Sequence, residues 1–150
     1  MSRSKGKGGS ATSTGRTPIV VDGSNIAYLE PDTDGKPSVD AIDKVRRRLI
    51  DLGYRPIVIV DAALYHEVKN SRKLDHLVND GSILQAPAGT DADYFVLKTA
   101  ELENARIVSD DLYRDYQREF PDAITRRVPV MIVDGNVEFY HLESAADSRK

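Results

Sequence analysis

The chain contains no cysteine. That absence excludes a disulfide framework, a thiolate nucleophile and a cysteine-ligated zinc site, so any metal must be held by oxygen or imidazole. Long apolar runs are missing as well, and none approaches the roughly 18 residues that would cross a bilayer, so no membrane is expected as a partner. Neither G-x-G-x-x-G nor G-x-x-x-x-G-K-[ST] occurs; without these glycine-rich phosphate cradles, no nucleotide cofactor is expected. The first residues carry charge, glycine and serine but no apolar h-region, which makes a cytoplasmic location the default. His66, His76 and His141 show no metal-ligand spacing and no paired nucleophile, and read as structural or surface residues.

What is present fits one soluble domain of ordinary size: 150 residues, 40% hydrophobic and 30% charged. The charge is unevenly placed. Residues 1–17 hold Arg3, Lys5, Lys7 and Arg16 with no acid, so the net −3 leaves −7 for the remainder. This Gly/Ser/Thr/Lys segment reads as a disordered basic leader, because it cannot bury enough apolar surface to order itself. It serves equally well as a solubilising linker or as a long-range attractor of phosphate.

The pattern that organises the rest is an apolar β-branched run ending in an acid. Pro18 to Val21 leads to Asp22, Pro56 to Val60 to Asp61, and Ala105 to Ser109 to Asp110 and Asp111. Unbroken runs of this kind are strands covered on both faces. Between them lie helical periodicities. Ser38 caps a helix with Val39, Ile42, Val45, Leu49 and Leu52 on one face; residues 67–80 form a second. Thr90 to Asn104 forms a third, with Ala92, Phe95, Val96, Thr99 and Leu102 apolar and Thr90 with Asp93 as a capping box. A short helix is expected over Leu112 to Phe120. Asp134-Gly135 marks a hairpin between Val128 to Val133 and Asn136 to Leu142. The alternation predicts a three-layer α/β/α domain over residues 18–142, with a mostly parallel sheet, a C-terminal hairpin at one edge, and a polar tail over 143–150.

In such a sheet the strands' carboxyl ends share one rim, which brings Asp22, Asp93 and Asp111 together. Carboxylates so close repel one another unless a divalent cation compensates. Oxygen donors favour a hard ion, Mg²⁺ or Mn²⁺, suited to binding a phosphodiester and activating water. Bland roles compete for each acid: Asp22 and Ser24 could simply cap a turn, and Asp91 and Asp93 in a first helical turn complement the helix dipole. Asn25 and Ser24 could orient a water.

The segments 20–28 (VVDGSNIAY), 86–100 (APAGTDADYFVLKTA), 106–116 (RIVSDDLYRDY) and 126–135 (RRVPVMIVDG) resemble the NYN-type PIN-like ribonucleases, particularly the nuclease domain of the Regnase/MCPIP proteins. The resemblance implies a Mg²⁺- or Mn²⁺-dependent endoribonuclease that cuts single-stranded or loop RNA with a quartet of acids. It maps Asp22 and Asn25 to the first motif, Asp93 to the second, and Asp111 and Asp115 to the third. Where the animal enzymes have two adjacent acids in the second motif, this chain has Ala92 before Asp93. The basic residues that follow the second strand in those enzymes are replaced by Ala62-Ala63-Leu64-Tyr65.

RNA is thus the expected partner, and a homodimer is left open. Arg72, Lys73, Arg114, Arg126 and Arg127 are the candidates for phosphate contact, although most surface cations are only solvated. Tyr28, Tyr94 and Tyr113 could stack on bases or pack in the core. Two other readings remain: an inactive RNA-binding module on the same fold, and an aspartyl phosphatase. The phosphatase would place a second Asp where Ser24 stands.

Overall fold

A computed structural model describes residues 15–145. The leader through residue 14 and the tail from residue 146 lie outside the described residues. Strand β1 (Thr17–Asp22) is followed by the short helix α1 (Gly23–Ala27), helix α2 (Val39–Asp51) and strand β2 (Tyr54–Val60). A 3₁₀ turn (Ala62–His66), helix α3 (Ser71–Asn79), strand β3 (Ile83–Gln85), helix α4 (Ala92–Glu103) and strand β4 (Arg106–Val108) come next. A second 3₁₀ turn (Arg114–Tyr116), the short helix α5 (Ala123–Arg126) and strands β5 (Arg127–Val128), β6 (Val130–Val133) and β7 (Asn136–Phe139) complete the order.

Five strands form one sheet in the order β3-β2-β1-β4-β5, and every pairing is parallel. Side chains alternate between its two faces, as a strand's period of two requires. Ile19, Val21, Val58, Val60 and Val108 pack with Ile42, Val45 and Leu49 of α2 and with Leu74 and Leu77 of α3. Val20, Ile59 and Ile107 pack on the other side with Val96, Leu97 and Ala100 of α4. The three-layer parallel fold is as the sequence predicts.

Several details differ. The run expected as one strand from Val128 is split at Pro129: β5 ends the main sheet and β6 pairs antiparallel with β7 in a separate two-stranded sheet. Proline has no N–H to give to a ladder, so the chain changes partners there. The hairpin accordingly packs against the α2 side of the core through Ile132, Val137 and Phe139 instead of extending the sheet edge. Its turn is the expected one, with Asp134 and Gly135 both at positive φ, 51° and 79°. The segment after β4 makes a single 3₁₀ turn instead of a helix through Phe120. On α4 the buried stripe is Ala92, Val96, Leu97 and Ala100, whereas Leu102 is exposed. Thr90 is not the N-cap. Asp91 takes that position, its side chain accepting from the Asp93 N–H.

Candidate functional site

The strand order reverses at β1, whose neighbours β2 and β4 leave it on opposite sides. The crevice at the carboxyl ends of β1 and β4 is therefore the switch point where open α/β sheets bind ligands. Asp22 closes β1 at that crevice and is only 4% exposed. A group so buried must be hydrogen-bonded. Its Oδ1 accepts from the Asn25 N–H at 3.3 Å, and its Oδ2 accepts from the Tyr113 hydroxyl at 2.6 Å and the Ser109 hydroxyl at 3.3 Å.

Asp93 enters from the first turn of α4, and Asp111 from the loop after β4. One carboxylate oxygen from each of Asp22, Asp93 and Asp111 lies within 4.8 Å of the others. Crowding of like charge has the expected electrostatic result. Burial is the first cause that pushes Asp93 up to about 7, followed by the charges of Asp22 and Asp111. Burial also raises Asp22, against the Tyr113 and Asn25 hydrogen bonds that pull it down, while Asp111 adds to the rise. Three convergent carboxylate oxygen donors are a donor set suited to a hard divalent ion.

The loop that carries Asp111 is fixed from several directions. Asn25 Oδ1 accepts from the Asp110 N–H at 3.0 Å, Ser109 Oγ accepts from the Asp111 N–H at 3.0 Å, and Asp110 Oδ1 accepts from the Val130 N–H at 3.2 Å. Asn25 thus braces the backbone between the first and third segments. Ser24 Oγ accepts from the Asp61 N–H at 2.8 Å, tying the end of β1 to the end of β2. Asp115 is exposed on the wall of the cleft that Asp93 and Asp111 line, outside the group of three carboxylates. Asp91 is not one of the three: its Oδ1 accepts from the Asp93 N–H and its Oδ2 from the Tyr116 hydroxyl.

The five cations fall in different places. Arg114 is exposed on the cleft wall, beside Asp111. Arg127 donates from Nη1 to the Ser109 carbonyl at 3.2 Å, below the site. Arg126 donates to the Ala105 carbonyl and Asn104 Oδ1, at the opposite end of β4 from the acids. Lys73 is spent on Asp40 at 2.6 Å, and Arg72 is exposed on α3. The tyrosines also separate. Tyr113 is buried and Tyr94 packs among Phe95, Tyr116 and Phe120, which leaves Tyr28 exposed.

A family model described as "Zc3h12a-like Ribonuclease NYN domain" matches residues 15–144. The chain belongs to this NYN ribonuclease family. Among solved structures, the NYN domain is similar to nuclear proteinaceous RNase P 2 (PRORP2) from A. thaliana, with a TM-score of 0.67 at 23% identity, covering 87% of this chain and 30% of that one. A second structure, of Arabidopsis thaliana nuclear protein-only RNase P 2, matches with a TM-score of 0.65 at 22% identity and the same coverage. At that identity the likeness speaks to the fold, and the NYN domain spans under a third of the PRORP2 chains. No curated protein sequence matches.

The residue that sequence reasoning missed in the NYN domain is Tyr113 as the donor to Asp22. An aromatic flanked by Leu112 and Arg114 carries no such signal. Ser109 was legible only as a strand end, and its double role, donating to Asp22 and accepting from Asp111, emerges from the fold.

Proposed function

We propose that this NYN domain is a divalent-metal-dependent endoribonuclease that hydrolyses phosphodiester bonds of single-stranded or loop RNA. The observation that carries the reading is the convergence of Asp22, Asp93 and Asp111, from segments far apart in sequence, at the switch point of a ribonuclease-family fold. These three residues would hold Mg²⁺ or Mn²⁺, which when bound supplies Lewis acidity and lowers the pKa of a coordinated water. The chain's own part is positioning. Tyr113 and Ser109 occupy Oδ2 of Asp22, which orients its other oxygen, and Asn25 holds the loop bearing Asp111. Arg114 on the cleft wall supplies a cation for the phosphate, with Arg127 behind it. Asp115 stands on the same wall, within reach of outer waters. Hydrolysis breaks the P–O3′ bond, leaving a 5′-phosphate and a 3′-hydroxyl.

A second reading, an RNA-binding module without activity, draws on the second motif. There Ala92 is buried and Asp91 is engaged with Tyr116, so this segment contributes a single carboxylate to the group.

The deciding experiment incubates the protein with 5′-labelled single-stranded RNA in Mn²⁺, in Mg²⁺ and in EDTA, alongside Asp22→Asn. Internal cuts that require metal and vanish in Asp22→Asn are expected. Cuts that persist in the variant would overturn the site, and RNA bound but uncut by the wild type in every metal would favour the binding module.

A further inference from the structure

Two neighbouring turns on the same rim carry aromatic rings that the core does not use. Tyr28 follows α1, and Tyr65 with His66 ends the 3₁₀ turn after β2. The two turns are joined twice: the Asp61 N–H donates to Ser24 Oγ at 2.8 Å, and the Tyr28 hydroxyl donates to Glu67 Oε1 at 3.0 Å. Tyr28 is 52% exposed and Tyr65 37%, and His66 is exposed beside them. Among the described residues no ring packs on Tyr28. The ring contact of Tyr65 is with His66, perpendicular at 5.4 Å and 90°, and both tyrosines leave a third or more of their surface to solvent. Rings elsewhere behave differently: Tyr94 and Phe120 shelter one another, with Tyr116 beside them.

We propose that Tyr28, Tyr65 and His66 form a platform on which unpaired RNA bases stack beside the carboxylate group. The proposal rests on the ribonuclease reading for its choice of ligand. Tyr28 lies six positions beyond Asp22, and a helix rises ~1.5 Å per residue, which places the Tyr28 backbone roughly 10 Å from that of Asp22. The electrostatics of this flank favour stacking over phosphate pairing. Lys44 is paired with Glu30 at 2.6 Å, Lys69 with Asp34, Lys73 with Asp40, and Arg46 and Arg47 with Asp43. A strand arriving here meets cations mostly engaged by carboxylates, exposed Arg72 of α3 apart. Aromatic faces, by contrast, accept any base without needing charge. Bases in a duplex are already stacked and paired, so the platform selects single strands and loops.

The test measures binding of a short fluorescent single-stranded RNA in EDTA, where cleavage does not intervene, to wild type, Tyr28→Ala, Tyr65→Ala, the double alanine variant and the double phenylalanine variant. A blunt RNA duplex is the control. Each alanine is expected to weaken single-strand binding by about tenfold, with an unchanged salt slope; phenylalanine retains affinity, and duplex binding does not move. The chain has no tryptophan, so quenching of tyrosine emission by RNA reads the stack directly and should shrink in the double alanine variant. Unchanged affinity in the double alanine variant, equal losses on duplex, or wild-type protein that binds no single strand would each overturn the platform. Cleavage in Mn²⁺ is scored separately. Loss of binding in the variants without any wild-type cleavage would sink the nuclease reading and keep the platform, whereas normal cleavage with unaffected variants would do the reverse.

Discussion

Tyr113 holds a left-handed backbone conformation, φ 51°, which crowds a β-carbon and is uncommon for a bulky residue. The strained residue is also the one whose hydroxyl reaches Asp22 at 2.6 Å, and burial together with the Asp22 charge raises its pKa, keeping the donor protonated. Tyr113→Phe keeps the ring and deletes the donor. We expect the variant to remain folded but to lose about 1–3 kcal/mol of metal-free stability, because a buried carboxylate loses a partner. Its Mn²⁺ affinity should fall by about 10–100-fold, read by electron paramagnetic resonance titration. Wild-type affinity would show that the tyrosine only fills space. The bond to Asp22 was not legible in the sequence, where Tyr113 reads as a core residue first and a base stacker second. By contrast Asp22, Asp93 and Asp111 could be found, because each follows or opens an element whose pattern is unambiguous.

Elements were legible where one force dominated. The runs before Asp22 and Asp61 are buried on both faces and could hardly be anything but central strands. Ser38 caps α2 as expected, its hydroxyl accepting from the Ala41 N–H at 3.2 Å. Boundaries were lost where competing local bonds decide. Asp91 displaces Thr90 as the cap of α4, and Pro129 divides what reads as one strand. One close junction between elements is Gly23, at the start of α1. A β-carbon there would meet Val60 Cγ1 at 2.6 Å and the Ile59 carbonyl at 2.9 Å. Gly23→Ala must push α1 off β2, and we expect it to destabilise the domain by about 1–3 kcal/mol in chemical denaturation, with reduced Mn²⁺ binding because Asp22 is the adjacent residue. Wild-type stability would mean that β2 yields without cost.

At the scale of the whole molecule, the acids set a pH dependence. Asp93 has an ordinary value of 3.8 and is held up at about 7 in the folded, metal-free chain, burial first and neighbouring acids second. Between these values the folded state keeps a proton that the unfolded chain has released, so Asp93 contributes stability at low pH that is lost as pH rises through about 7. The metal-free Tm of wild type relative to Asp93→Asn should therefore fall from pH 4 to 7.5. Stabilisation by Mn²⁺ should grow over the same range, since binding needs the ionised form. A relative Tm that rises with pH would contradict the crowding of charge.

The parallel β1–β4 pairing also has a consequence for the birth of the protein. Val20 lies beside Ile107, and the third carboxylate follows four residues later, so no amino-terminal fragment holds the complete group. A nascent chain emerging from the ribosome is surrounded by RNA that a nuclease could damage. Because the group is split between the first strand and the segment after the fourth, the growing polypeptide completes it only once residues through Asp111 have left the exit tunnel and folded back, and on the ribonuclease reading that delay would spare the RNA around it.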